Sequence, residues 1–79
     1  MLQAELRTKR IASGISGAVL CLKIGMSRSR LSAIERGYID CTPEELVLIL
    51  EALQELFAAK ERIVRAAIDA GWPSAVEVR

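Results

Sequence analysis

The chain has 79 residues, 52% of them hydrophobic but only 4% aromatic, and a formal net charge of +1. That length carries one domain, and so short a chain buries a modest fraction of its surface, which makes dimerisation a natural source of extra stability. Two lone cysteines, Cys21 and Cys41, without any histidine argue against a zinc site, and no metal or cofactor is expected.

The apolar residues are mainly Leu, Ile, Val and Ala, a set that favours an all-helical domain over a sheet. No run reaches the roughly 18 apolar residues of a transmembrane helix. The start Met1-Leu2-Gln3-Ala4-Glu5 lacks the basic-then-apolar layout of a signal peptide, so the expected location is the cytoplasm. A disulfide is disfavoured in that compartment. The charge is uneven along the chain. Residues 1–40 carry seven bases (Arg7, Lys9, Arg10, Lys23, Arg28, Arg30, Arg36) against three acids, and residues 41–79 carry four bases against seven acids. A basic first half points to an anionic partner such as DNA, and an acidic second half to a different task.

The first helix is expected over residues 2–13. Leu2, Leu6 and Arg10 share one stripe, with Ile11 close to it, at the i, i+4, i+8 spacing of an amphipathic helix. Gly14 supplies a left-handed stop, and Ile15 follows as a bridging apolar residue. Ser16 is the N-cap of the second helix, whose inward set is Leu20, Cys21 and Ile24. Cys21 therefore reads as a small buried residue. The second helix ends at or near Gly25, where a small residue is expected to give clearance to two steeply crossing helices. Met26 lies in the turn and plugs the gap between them. Ser27 caps the third helix, which runs to Glu35 or Arg36 with Leu31 and Ile34 facing inward together. Gly37 stops it, and residues 38–41 are a connector.

Thr42-Pro43-Glu44-Glu45 is the clearest helix start. Thr42 is the N-cap, Pro43 takes the first helical position, Glu45 completes a capping box, and two acids in the first turn suit the helix dipole. No Gly or Pro follows until Gly71 and Pro73. Residues 44–71 are compatible with one helix or with two that break near Ala58-Ala59-Lys60. Leu46, Ile49, Leu50 and Leu53 suffice to cover the first three helices. Leu56, Phe57, Ile63, Val64, Ala67 and Ile68 fall beyond the expected reach of that core, and a second copy of the chain is the simplest partner for them. Two segments are thus expected, residues 1–53 and a helical extension over 54–79 that serves dimerisation, together forming one compact domain. The tail from Trp72 is read as irregular, with Trp72 pinning it to the helices.

Residues 7–53 resemble the helix-turn-helix repressors of the Cro and lambda-repressor type, the XRE family. The residues that carry the likeness are Leu6-Arg7, Lys9-Arg10, Gly14-Ile15-Ser16, Leu20-Cys21…Ile24-Gly25-Met26-Ser27, Ser29…Leu31-Ser32…Ile34-Glu35…Gly37, and a Leu-rich closing helix ending Ala52-Leu53. The resemblance implies a five-helix all-α domain, here with an extended C-terminal helical segment, whose third helix lies in the major groove of double-stranded DNA. It implies base readout by Arg28, Ser29, Ser32 and Ala33. Arginine suits guanine, because its fork meets both acceptors of that base. Arg30 is left to a base or a phosphate. Phosphate contacts are implied at Ser16 and Gly17, where the start of the second helix favours an anion, and at Lys23 and Arg36, with Lys9 or Tyr38 as further candidates. Arg10 and Glu35 match positions that pair in several family members. Two departures stand out. Glutamine is usual in the family where this chain has Gly17, so only the amide remains there. After Leu53 the family commonly breaks and begins a short fifth helix, whereas this chain continues with further apolar turns.

The function expected from these readings is a homodimeric, sequence-specific transcription regulator, of repressor type, on an inverted-repeat operator. An antitoxin, a restriction-system controller, or a module that binds a protein partner on the same scaffold are the alternatives. An enzyme is not expected. There is no histidine, and no serine or cysteine has an evident base at useful spacing.

Overall fold

Three hydroxyl side chains set three of the helix starts. In a computed structural model describing residues 3–71, a 3-10 turn at Gln3–Glu5 leads into α1 (Leu6–Ala12), α2 (Gly17–Ile24), α3 (Arg28–Glu35) and α4 (Pro43–Asp69). Ser16 Oγ accepts a hydrogen bond from the Val19 amide at 3.1 Å, and Ser27 Oγ accepts one from the Arg30 amide at 3.1 Å. Thr42 Oγ1 accepts from the Glu45 amide, and Glu45 Oε1 accepts from the Thr42 amide, both at 3.0 Å, so the capping box ahead of Pro43 is complete. Each cap satisfies amide groups that an α-helix leaves unpaired at its first turn, and each is worth about 1 kcal/mol.

The turn between α2 and α3 corrects one expectation. Gly25 has φ 70° and ψ 32°, and the amides of Gly25 and Met26 both donate to the Cys21 carbonyl, at 2.8 and 3.1 Å. A Cβ at this position would meet nothing within 4 Å. Glycine stands there because the backbone is left-handed, where a Cβ crowds the following carbonyl, and not because the crossing helices need clearance.

The first helix is also shorter than expected. Residues 3–5 form a 3-10 turn and only Leu6–Ala12 are α-helical. Gln3 accounts for how this entry is held: its Nε2 donates to the carbonyls of Ile34 and Ile39 at 2.9 and 2.7 Å, and its Oε1 accepts from the Cys41 amide at 3.1 Å. One amide side chain thereby ties the start of the chain to the end of α3 and the connector. Ile11, read as close to the buried stripe, is 58% exposed. Leu2 and Trp72, to which structural roles were given, lie outside the described residues.

The described residues contain four α-helices in place of the expected five, with no strand. The reason is α4, which runs unbroken for 27 residues. Ala58-Ala59-Lys60 are strong helix formers, and no residue in the segment interrupts the hydrogen-bond ladder. This settles the choice between one helix and two. Among the described residues, no helix is long and apolar enough to cross a membrane.

The core draws on every α-helix. Leu6, Leu20, Leu31, Ile34 and Ile49 are almost wholly buried, and Ile15, Cys21, Ala52 and Leu53 complete the cluster. Each fully buried leucine or isoleucine contributes about 1.5–3 kcal/mol. Leu56, expected beyond the core, packs against it together with Leu46 and Leu50. The helical rise carries α4 over about 40 Å, well past the small package formed by α1–α3. The molecule measures 52 × 21 × 21 Å, and the far end of α4 accounts for its length.

Candidate nucleic-acid interface

The two short helices α2 and α3 pack on each other and present α3 at the surface. Leu31 and Ile34 turn into the core. At 100° per residue, Ser29, Ser32, Ala33 and Arg36 then lie on the side away from it. Ser29 and Arg36 are exposed, and Ser32 and Ala33 are half-buried. Arg28 and Arg30 sit on opposite flanks of α3.

The seven bases of residues 1–40 meet different fates. Arg10 is structural. Its Nε and Nη2 donate to the two carboxylate oxygens of Glu35 at 2.7 and 2.9 Å, and its Nη1 donates to the Ile15 carbonyl at 3.1 Å. This fork is largely buried, with side-chain exposures of 16% and 6%, and it locks α1 to the end of α3. The hydrogen bond to Glu35 pushes the Arg10 pKa further above its ordinary value, against the opposing effect of burial.

Lys23 and Arg30, read as DNA contacts, pair with acids of α4. Lys23 Nζ lies 3.0 Å from Glu55, and Arg30 donates to Glu45 Oε2 from Nε and Nη2 at 3.1 and 2.7 Å. Pairs this exposed are weak and exchange readily for another anion. Arg30 also draws the Glu45 carboxyl below its usual range, second to the hydrogen bond from the Thr42 backbone.

Arg7, Arg28 and Arg36 make no ion pair among the described residues. They border one polar cleft of about 140 Å³, together with Gly17, Ser32 and the Arg10–Glu35 fork. The amino-terminal turn of α2 contributes Gly17 to this cleft, so a helix dipole adds to the positive field there. Arg28 folds across that turn. A Cβ built on Gly17 would lie 3.3 Å from both Nε and Nη2 of Arg28 and 3.4 Å from Cζ.

Of the remaining candidates, Ser16 is exposed and its hydroxyl is occupied by capping α2. Tyr38 is 75% exposed just past the end of α3. Lys9 borders a different groove, between α1 and α4. Cys21 faces the core from α2, and burial pushes its thiol pKa up while Arg28 pulls the other way. Arg7 was not singled out as a site residue. The available signal was its place one turn before Arg10 on the same helix. Gln3 was missed because a glutamine near a chain start carries no pattern.

Two serine-capped helices joined by a left-handed glycine, the second of them facing outward beside Arg7, Arg28 and Arg36, which make no ion pair among the described residues, define a helix-turn-helix DNA-binding domain. The family model described as helix-turn-helix matches residues 6–56, and the chain belongs to that family, in its Cro and lambda-repressor (XRE) type. Its members are DNA-binding regulators and not an enzyme family. No curated protein and no solved structure matches the chain.

Proposed function

We propose that the chain is a homodimeric transcription regulator of repressor type that binds an inverted-repeat operator, with α3 of each copy in the major groove. The observation that carries this reading is the sorting of the bases. Among the described residues, Arg28 on one flank of α3 and Arg36 at its outward end make no ion pair, and Arg7 joins them across the cleft. Arg28, Ser29, Ser32 and Ala33 face the base edges, and phosphates are gripped at the start of α2 by Ser16 and Gly17 and from the sides by Arg36. Arg30 and Lys23 exchange their α4 carboxylates for phosphates as the duplex docks. DNA supplies a denser negative charge than either exposed pair.

The second copy docks on the far part of α4. Phe57, Ile63, Val64 and Ile68 are between 39% and 70% exposed there, and Ala67 is half-buried among them. They continue the stripe that covers the core, and Phe57, Val64 and Ile68 rim a groove of about 400 Å³ beside the end of α1. An apolar stripe of this kind is what a helical dimer buries. Two-fold symmetry then sets the α3 helices about 34 Å apart, one turn of DNA. A second reading, as an antitoxin, a restriction-system controller or another protein-binding module, places a foreign protein on this same stripe.

In-vitro selection from random DNA with the full chain tests the proposal. Enrichment of a palindrome with half-sites one helical turn apart is the expected result. Enrichment of no sequence overturns DNA readout, and enrichment of a single half-site by a monomer favours the second reading.

A further inference from the structure

Of the five glycines in the chain, Gly14, Gly25, Gly37 and Gly71 have φ between 70° and 102°, which accounts for glycine at each. Gly17 does not share that conformation. It is the first residue of α2, a right-handed helical position that any L-residue adopts without strain. Its backbone therefore gives no reason for glycine. Its surroundings do. Gly17 is buried, and the space beside its Cα is taken by the guanidinium of Arg28, which an added Cβ would approach to 3.3–3.4 Å on three atoms. That is tighter than most Cβ contacts, so even an alanine at residue 17 makes the Arg28 guanidinium give by a few tenths of an ångström, and a larger side chain displaces it further.

We infer that Gly17 is a positioning residue for base recognition: the side chain it lacks makes the seat on which Arg28 lies, and that seat sets the direction in which Arg28 presents its donors. The inference rests on the DNA-binding reading of α3. Arg28 is free to obey this constraint because no carboxylate pairs with it among the described residues, unlike Arg10 and Arg30. Its charged neighbours in the cleft are Arg7, Arg36 and the Arg10–Glu35 fork, whose carboxylate is already held by Arg10, so contact with the first turn of α2, and not an ion pair, places its guanidinium. Bidentate pairing with guanine demands a fixed fork. A fork laid on a bare helix turn is fixed by contact, without a side-chain hydrogen bond to hold it.

The test compares base-preference profiles, by selection from random DNA, for the full chain and for its Gly17→Ala, Arg28→Ala, Arg28→Lys and Gly17→Ala/Arg28→Ala variants. Arg28→Ala is expected to relax one base pair per half-site by about tenfold. Gly17→Ala is expected to relax or change that same base pair and no other, with a melting temperature equal to or above wild type. Arg28→Lys is expected to lose the preference while keeping the salt dependence of binding, because the charge stays and the fork is lost. In the double variant, alanine at residue 17 has nothing to displace, so its profile should equal that of Arg28→Ala. A Gly17→Ala profile identical to wild type overturns the inference alone, as does a Gly17→Ala effect that persists without Arg28. A wild-type chain that enriches no sequence overturns the DNA-binding reading and the inference with it.

Discussion

The Arg10–Glu35 fork stands between a surface ion pair and a buried one. Glu35 is only 6% exposed and Arg10 16%, so removing one partner strands the other away from most of the water. Arg10→Ala is expected to lower the unfolding free energy by about 2–3 kcal/mol in a urea titration, a figure above that for exposed pairs and below that for fully buried ones. Replacing both residues together should cost less than the two single changes added. Gly25 gives a contrasting case. A Cβ added there would meet nothing within 4 Å, so Gly25→Ala meets only the left-handed backbone penalty of about 1–2 kcal/mol. Gly25→Asn should recover part of that loss, since asparagine tolerates this conformation better. Equal loss in both variants would mean that packing, and not φ, requires the glycine.

At the scale of elements, α4 begins on a capping box that also reaches α3. Glu45 caps Thr42 and holds Arg30 of α3 at the same time. The Thr42 backbone bond, aided by Arg30, lowers the Glu45 pKa. For a carboxyl depressed in the folded state, the stabilisation is fully present above the ordinary carboxylate pKa and is lost as the pH falls through the folded value. The stability gap between wild type and Glu45→Gln should therefore be open at neutral pH and close on acidification, as thermal melts across a pH series would show. A gap that does not change with pH would deny the charge any part in it. Thr42→Ala, which removes the hydroxyl half of the box, is expected to cost about 1 kcal/mol at neutral pH.

For the whole molecule, the length of α4 decides the arrangement. Its first half closes the core with Ile49, Ala52 and Leu53, while its far end leaves Val64 and Ile68 about half exposed. Those two side chains can be changed without touching the core. Val64→Glu/Ile68→Glu is expected to convert the proposed dimer to a monomer in sedimentation at micromolar concentration while the thermal unfolding stays cooperative. Operator affinity should then fall by at least tenfold, because two half-sites are no longer bound as one. Affinity of the wild type should also fall steeply with salt, each phosphate contact adding about 0.9 to the logarithmic slope. Arg36→Ala should lower that slope by about one contact and weaken all sequences alike.

Most of the local architecture was legible in the amino-acid order because its causes are local. A serine or threonine ahead of an apolar-periodic run, a proline at the first helical position and a glycine where the chain must turn left-handed each act within about four residues. The helix starts at Ser16, Ser27 and Thr42 and the core positions from Leu20 to Leu53 follow from such rules. The unbroken course of α4 and the inclusion of Leu56 in the core depend on how far the package of α1–α3 reaches, which no local pattern encodes. The same holds for the bases. Arg7, Lys23, Arg28, Arg30 and Arg36 are alike as residue types, and only packing sets Glu55 beside Lys23, Glu45 beside Arg30 and a bare helix turn beside Arg28. Charge is a property of the residue, but whether it is spent within the molecule or left for a partner is decided by what the tertiary fold brings within 3–4 Å of it.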